Sequence, residues 1–152
     1  MRIVVTGGAI IRDRRGRVLL QRRSDYGNWG LPGGSMDPGE TIEEAMIREV
    51  KEETGLSVLE AELYAVYSGS RMEYVYPDGN RVSFVMFLFS AKTDHERHLA
   101  ADGDSIPFRD QAGESLSLRF RELDEELLRE INPVQLPVFQ DLLAGRSGIL
   151  RS

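Results

Sequence analysis

The segment Thr41 to Thr54 reads as a helix whose charges do not sort the way a surface helix requires. Thr41 can cap its first turn, Glu43 and Glu44 place negative charge where the helix dipole favours it, and Gly55 can supply a left-handed stop. At about 100° per residue, with Ile42 as origin, Ala45, Met46 and Val50 fall at roughly 300°, 40° and 80° and form one apolar stripe. Glu44, Arg48 and Lys51 fall on the opposite, water-facing side, with Glu44 and Arg48 spaced as an i,i+4 ion pair. Glu52, Glu49 and Glu53 fall at roughly 280°, 340° and 20°, inside or beside the apolar stripe. Three carboxylates thus point toward the place where a sheet should pack.

Like charges gathered beside a core lose hydration and raise one another's pKa, so something must compensate them. The chain has no cysteine and two histidines, which makes a hard divalent cation such as Mg²⁺, with oxygen ligands, the natural partner. Positions 49, 52 and 53 are related by i,i+3 and i,i+4 and share one patch of helix surface. Just upstream, Gly33 and Gly34 let backbone approach a ligand closely, and a carbonyl there can join the coordination sphere.

The rest of the chain supplies a setting for this patch. In 152 residues, 41% hydrophobic and 29% charged, it has the proportions of one globular domain, read here as residues 1–145 with 146–152 as a frayed tail. Ile3 to Ile11 and Arg17 to Arg22 read as a β-hairpin around Asp13-Arg14-Arg15-Gly16. Arg23 to Gly39 is loop. Ser57 to Tyr67 and Arg81 to Ala91 read as a long hairpin turned at Tyr76 to Asn80, and Lys92 to Gly113 as a surface loop. Glu114 to Phe120 is a half-buried strand, with short helices expected at Asp124 to Glu130 and Asn132 to Ala144. The net charge of −6 argues against binding a nucleic-acid polymer, and neither a membrane-length apolar run nor a leader pattern is present, so a cytoplasmic location is expected.

Together the helix and its preceding loop read Gly34-x5-Glu40-x7-Arg48-Glu49-Val50-x-Glu52-Glu53-x-Gly55-Leu56. This pattern resembles the complete box of the Nudix hydrolase superfamily, whose members include MutT-like enzymes; chance would produce it with a probability below about 10⁻⁶. The likeness extends to Gln21-Arg22-Arg23, to Trp29-Gly30-Leu31-Pro32-Gly33-Gly34 and to Leu118-Arg119-Phe120. It implies an α/β fold, an α/β/α sandwich with a mixed sheet. The implied activity is Mg²⁺- or Mn²⁺-dependent hydrolysis of a diphosphate linkage in a nucleoside diphosphate derivative such as a nucleoside triphosphate or ADP-ribose. By resemblance, Glu49, Glu52 and Glu53 carry most of the metal, the Gly33 carbonyl joins them, and Glu40 pairs with Arg48 to hold the loop against the helix. Gly34 and Gly55 are structural in that motif.

Glu49, Glu53 or Glu114, which matches the family's variable extra glutamate, can serve as general base. Arg22 or Arg23 can donate to phosphate oxygens or sit at a solvated strand end. Trp29 can stack on a base or pack over the core edge. Tyr74, Tyr76, Phe84 and Phe87 can line a nucleotide pocket or a homodimer seam, although aromatic residues in strands most often belong to the core, and the resemblance makes the Tyr64 to Phe89 hairpin a plausible dimer surface. His95 and His98 lie in a polar loop without an acidic pattern and are not taken as ligands. A nucleotide sensor without turnover is a rival reading, but such modules lose box glutamates and none is lost here. An isoprenoid diphosphate isomerase resembles a chemistry that uses cysteine, and the chain has none.

Overall fold

The computed structural model describes residues 1–23, 28–108 and 115–152, except the side chains of 23, 115 and 116. Its elements run β1 (Arg2–Ile11), β2 (Val18–Arg23), β3 (Trp29–Gly30), β4 (Gly33–Ser35), α1 (Ile42–Thr54), β5 (Val58–Tyr67), β6 (Glu73–Val75), β7 (Arg81–Thr93), β8 (Ser115–Arg121), α2 (Glu125–Leu128), α3 (Leu136–Ala144) and β9 (Leu150–Arg151). The main sheet is mixed, in the order β4-β1-β7-β5-β9 with β6 also on β7. A smaller sheet has the order β3-β2-β8.

β1 and β2 were expected to form a hairpin, and they do not. β1 runs parallel to β7 from Arg2 opposite Val82 to Ile11 opposite Ala91, with β4 antiparallel on its other edge. β2 crosses to the second sheet, and the bridge between Arg12 and Val18, with the Asp13 N–H donating to the Arg17 carbonyl at 3.0 Å, marks the parting. The reason lies in burial: Ala9, Ile10 and Ile11 are all buried in succession, so both faces of this strand are covered and both edges need a partner. The turn at Tyr76 to Asn80 also differs from expectation. It closes the short β6–β7 hairpin, while β5 pairs with the rest of β7.

Alternation along the central strands makes the sandwich. Ile10 and Leu88 face one core with Tyr67, Met72, Leu127, Val138 and Phe139, the side covered by α2 and α3. Ala9, Ile11 and Phe89 face the other with Met46 and Val50 of α1. The start of α1 is a reciprocal capping box: Thr41 Oγ1 accepts from the Glu44 N–H at 3.1 Å and Glu44 Oε1 accepts from the Thr41 N–H at 2.8 Å. Glu44 is therefore committed to the cap instead of the expected pairing with Arg48. Gly55 closes the helix at φ 75°.

The segment after β7 is better fastened than a surface loop. Buried Arg17 donates to Asp13 at 2.8 Å, to Asp104 at 2.6 Å and to the Gly103 carbonyl at 3.2 Å, pinning residues 103–104 to the β1–β2 turn. The two histidines there diverge: buried His95 meets Thr93 Oγ1 through Nδ1, and His98 meets Asp94. Among the described residues no helix is long and apolar enough to cross a membrane.

Residues 146–152, expected to fray, return to the sheet, where Leu150–Arg151 runs parallel to β5. Arg151 is 4% exposed and donates to the Tyr67 hydroxyl at 3.0 Å and to the carbonyls of Gly148 and Arg146. Tyr67 in turn donates to Asp141 at 2.9 Å, and burial pushes its hydroxyl pKa up to about 12. A short polar tail carries no periodic signal of such an anchor, which depends on a partner 84 residues away. Arg151→Ala is expected to cost about 2 kcal/mol, the scale of losing a buried charged hydrogen-bond donor. Urea denaturation measures it; an unchanged midpoint would mean that the tail contributes nothing.

Candidate active site

α1 lies against β1 and β4, and its last turns meet the glycines of β4. Glu53, 7% exposed, accepts from the Gly33 N–H through Oε2 at 2.8 Å. The Glu49 carboxylate rests on the Cα of Gly34 so closely that a Cβ there would stand 2.5 Å from its carboxyl carbon. Glu52 differs from its helical-wheel position: its side chain is 58% exposed and its carboxylate accepts from Arg48 Nη1 at 3.2 Å. The drift of a real helix along a sheet edge leaves Glu53 inside, Glu49 at the rim and Glu52 in water. Among the described residues no group of three or more acidic or histidine side chains is arranged so as to hold a metal ion by itself.

Arg48 organises this surface. Its Nε and Nη2 donate to the two oxygens of Glu40 at 2.7 and 3.0 Å, a fork on a carboxylate. Nη1 donates to Glu49 at 3.0 Å, and Nη2 reaches the Ser35 carbonyl at 3.1 Å. One guanidinium thereby ties loop, β4 and helix together. The Arg48 fork holds the Glu40 carboxyl down at about 2, below its ordinary 4.5, and Glu40 in turn raises the pKa of Arg48. A depressed carboxyl stabilises the fold fully above its unfolded pKa and ceases to do so as pH falls through the folded value. The difference in melting temperature between the protein and its Glu40→Gln variant is therefore expected to hold constant above about pH 5 and to shrink toward pH 2. A difference that stays constant through this window would disconnect the pair from stability.

Glu49, Glu53, Gly33 and Gly34 line a cavity of about 420 Å³, together with Tyr76, Phe84, Asn132 and Gln135. Trp29 is not in its wall. It is 9% exposed in the core, with the Arg121 guanidinium 5.3 Å over its ring, so the packing alternative describes it and the base-stacking one does not. Arg22 is exposed on β2 and also outside the wall, which its neighbour Gln21 joins instead. Alternation along the strand turns one of the two outward. Glu114 and the side chain of Arg23 lie outside the described residues.

A model of the NUDIX domain matches residues 2–142. The chain belongs to the NUDIX domain family. It is 37% identical over 86 residues to an ADP-ribose pyrophosphatase of Methanocaldococcus jannaschii, covering 56% of this chain and 49% of that one. It is 35% identical over 91 residues to an 8-oxo-dGTP diphosphatase of Haemophilus influenzae, covering 57% and 62%. The MutT protein of Bacillus halodurans superposes with a TM-score of 0.65 at 25% identity, over 97% of this chain and 85% of that chain. This Nudix chain spans about half the length of several curated relatives it matches. Asn132 and Gln135 escaped the reading of the sequence, because Pro133 and Pro137 marked their segment as a helix start. Two amides in an otherwise apolar run, Asn132-Pro133-Val134-Gln135-Leu136, were the signal available.

Proposed function

We propose that the protein hydrolyses a diphosphate linkage in a nucleoside diphosphate derivative, with Mg²⁺ or Mn²⁺ held by Glu49, Glu52, Glu53 and the Gly33 carbonyl. The observation that carries the reading is the placement of Glu49 and Glu53 against bare glycine backbone in the wall of a nucleotide-sized cavity. The donors are all hard oxygens, and Mg²⁺ is commonly held by one or two carboxylates together with substrate phosphates, so the residues fit such an ion. When bound, it neutralises phosphate charge and lowers the pKa of a coordinated water toward neutrality.

The chain's own groups do the rest. The Gly33 N–H fixes the Glu53 carboxylate, Arg48 fixes that of Glu49, and the general base that takes the water's proton is one of Glu49, Glu53 and Glu114. Tyr76 and Phe84 offer apolar surface to the nucleoside. The test is a screen of nucleoside triphosphates, ADP-ribose, NAD, dinucleoside polyphosphates and sugar nucleotides with each metal, reading phosphate and pyrophosphate release. Turnover of at least one of them is expected only with metal present. No turnover of any would overturn the assignment.

A further inference from the structure

We propose that the part of the main sheet which α1 leaves bare is the seam of a homodimer, in which two copies of this chain pack face to face with their strands running in opposite directions. The inference goes beyond the hydrolase reading and does not rest on it.

The bare face follows from where the helix begins. Ile42 stands over Gly7, where an added Cβ would lie 3.0 Å from the Ile42 carbonyl oxygen and 3.3 Å from its Cδ1. From there α1 covers Ala9, Ile11 and Phe89, while the strands also run on in the other direction. β1 pairs with β7 without a slip from Arg2 to Ile11. Alternation therefore puts Ile3 and Val5, and Val85 and Phe87 of the neighbouring strand, on the same side as Ala9 and Ile11. Cross-strand pairing carries this surface outward, from Phe87 to Val66 of β5 and from Val66 to Leu150 of β9. Ile47 and Leu63 border it along a groove that Phe87 also lines. Phe87 thus belongs to this face, whereas Tyr76 and Phe84 line the cavity.

The opposite side of the sheet is covered by α2 and α3, and this one lies open. Ile3 is 69% and Leu150 82% exposed, and Leu63 and Ile47 are exposed as well. With their half-buried neighbours they leave on the order of 600 Å² of apolar surface. That stands at the top of the roughly 300–600 Å² reached by the largest patch of a monomer, and near the roughly 800 Å² that each partner gives to a stable interface.

Charge at the two ends of the face makes it complementary to itself. By alternation Arg81, the first residue of β7, lies on this side, and Glu43 lines the groove beside Phe87 at the other end. Arg81 and Phe87 are about 20 Å apart at ~3.3 Å per residue. Neither charged side chain meets an ion-pair partner among the described residues. The strand positions between them on this side, Ser83 and Val85, carry no charge. A two-fold axis lying across the strands reverses their direction in the second copy, so Arg81 of each copy comes over Glu43 of the other and the apolar middles meet.

Sedimentation equilibrium on the full chain from about 1 to 300 µM reads the association, with circular dichroism as the check on folding. The expected result is a monomer–dimer equilibrium that Ile3→Glu weakens at least about tenfold, by setting an unpaired charge in the apolar seam. Arg81→Glu and Glu43→Arg are each expected to weaken it about threefold or more. Both changes in one chain re-form the two pairs with reversed signs and restore the dimer. If Ile3→Glu does not fold, the charge variants, both on exposed positions, decide alone. A monomer at every concentration overturns the proposal and leaves the face to a different occupant. A dimer that none of the single variants weakens, or a double variant no tighter than the single charge variants, overturns it too, because the seam then lies elsewhere or lacks this two-fold.

Discussion

Glu53→Gln is expected to lower turnover on the order of 10²-fold or more while the protein stays folded, as is typical for loss of a general base or of metal support. Glutamine matches glutamate in shape, and its amide oxygen can still accept from the Gly33 N–H that holds Glu53 at 2.8 Å. What disappears is the negative charge beside the cavity. Glu52→Gln is expected to act in the same direction although Glu52 is largely exposed, because the three carboxylates occupy one stretch of helix and Arg48 already couples Glu49 to Glu52. Steady-state rates on the best substrate of the screen, at rising Mg²⁺, measure both. A loss of metal support shows as a higher metal requirement, and a loss of the base as a lower plateau. Unchanged turnover in both purified variants contradicts the reading.

Local rules found the helix and its caps because capping, periodicity and the box all lie within Gly34 to Leu56. The Thr41–Glu44 box and the Gly55 stop are contacts between residues three or four apart, which a pattern can show. Strand pairing is another matter. Nothing between Ile3 and Arg22 says that β1 will take β7 as a parallel neighbour, since that partner is far along the chain and is chosen by which faces end up buried. The same holds for Arg151 on Tyr67 and for Gln135 on Leu31, whose hydrogen bonds span 84 and 104 residues. The helical wheel erred over Glu52 for a related reason: an angle ranks residues by face but does not locate the edge of the sheet that the helix overhangs. The side of the cavity that Gln135 lines was thus the least legible part, since its link to Leu31 is such a distant contact.

The paired glycines separate folding from chemistry in a way that substitution can expose. Gly33 and Gly8 are cross-strand partners, as are Gly34 and Gly7. A Cβ on Gly33, at φ 153°, would stand 2.5 Å from the Gly7 carbonyl oxygen and 2.6 Å from Gly8 Cα, backbone atoms of a central strand that cannot step aside. Gly33→Ala is therefore expected to cost about 3 kcal/mol or more of stability. A Cβ on Gly34 would meet first the end of the Glu49 side chain, at 2.5 to 2.7 Å, and the end of a flexible side chain can shift where backbone cannot. Gly34→Ala should change stability by less than about 1 kcal/mol, yet lower turnover on the order of 10²-fold by displacing a carboxylate from the cavity wall. Denaturant midpoints and steady-state rates on both variants decide the matter. Equal losses of stability would show that Glu49 is locked in place by packing, and full activity in a folded Gly34→Ala protein would remove Glu49 from the reaction.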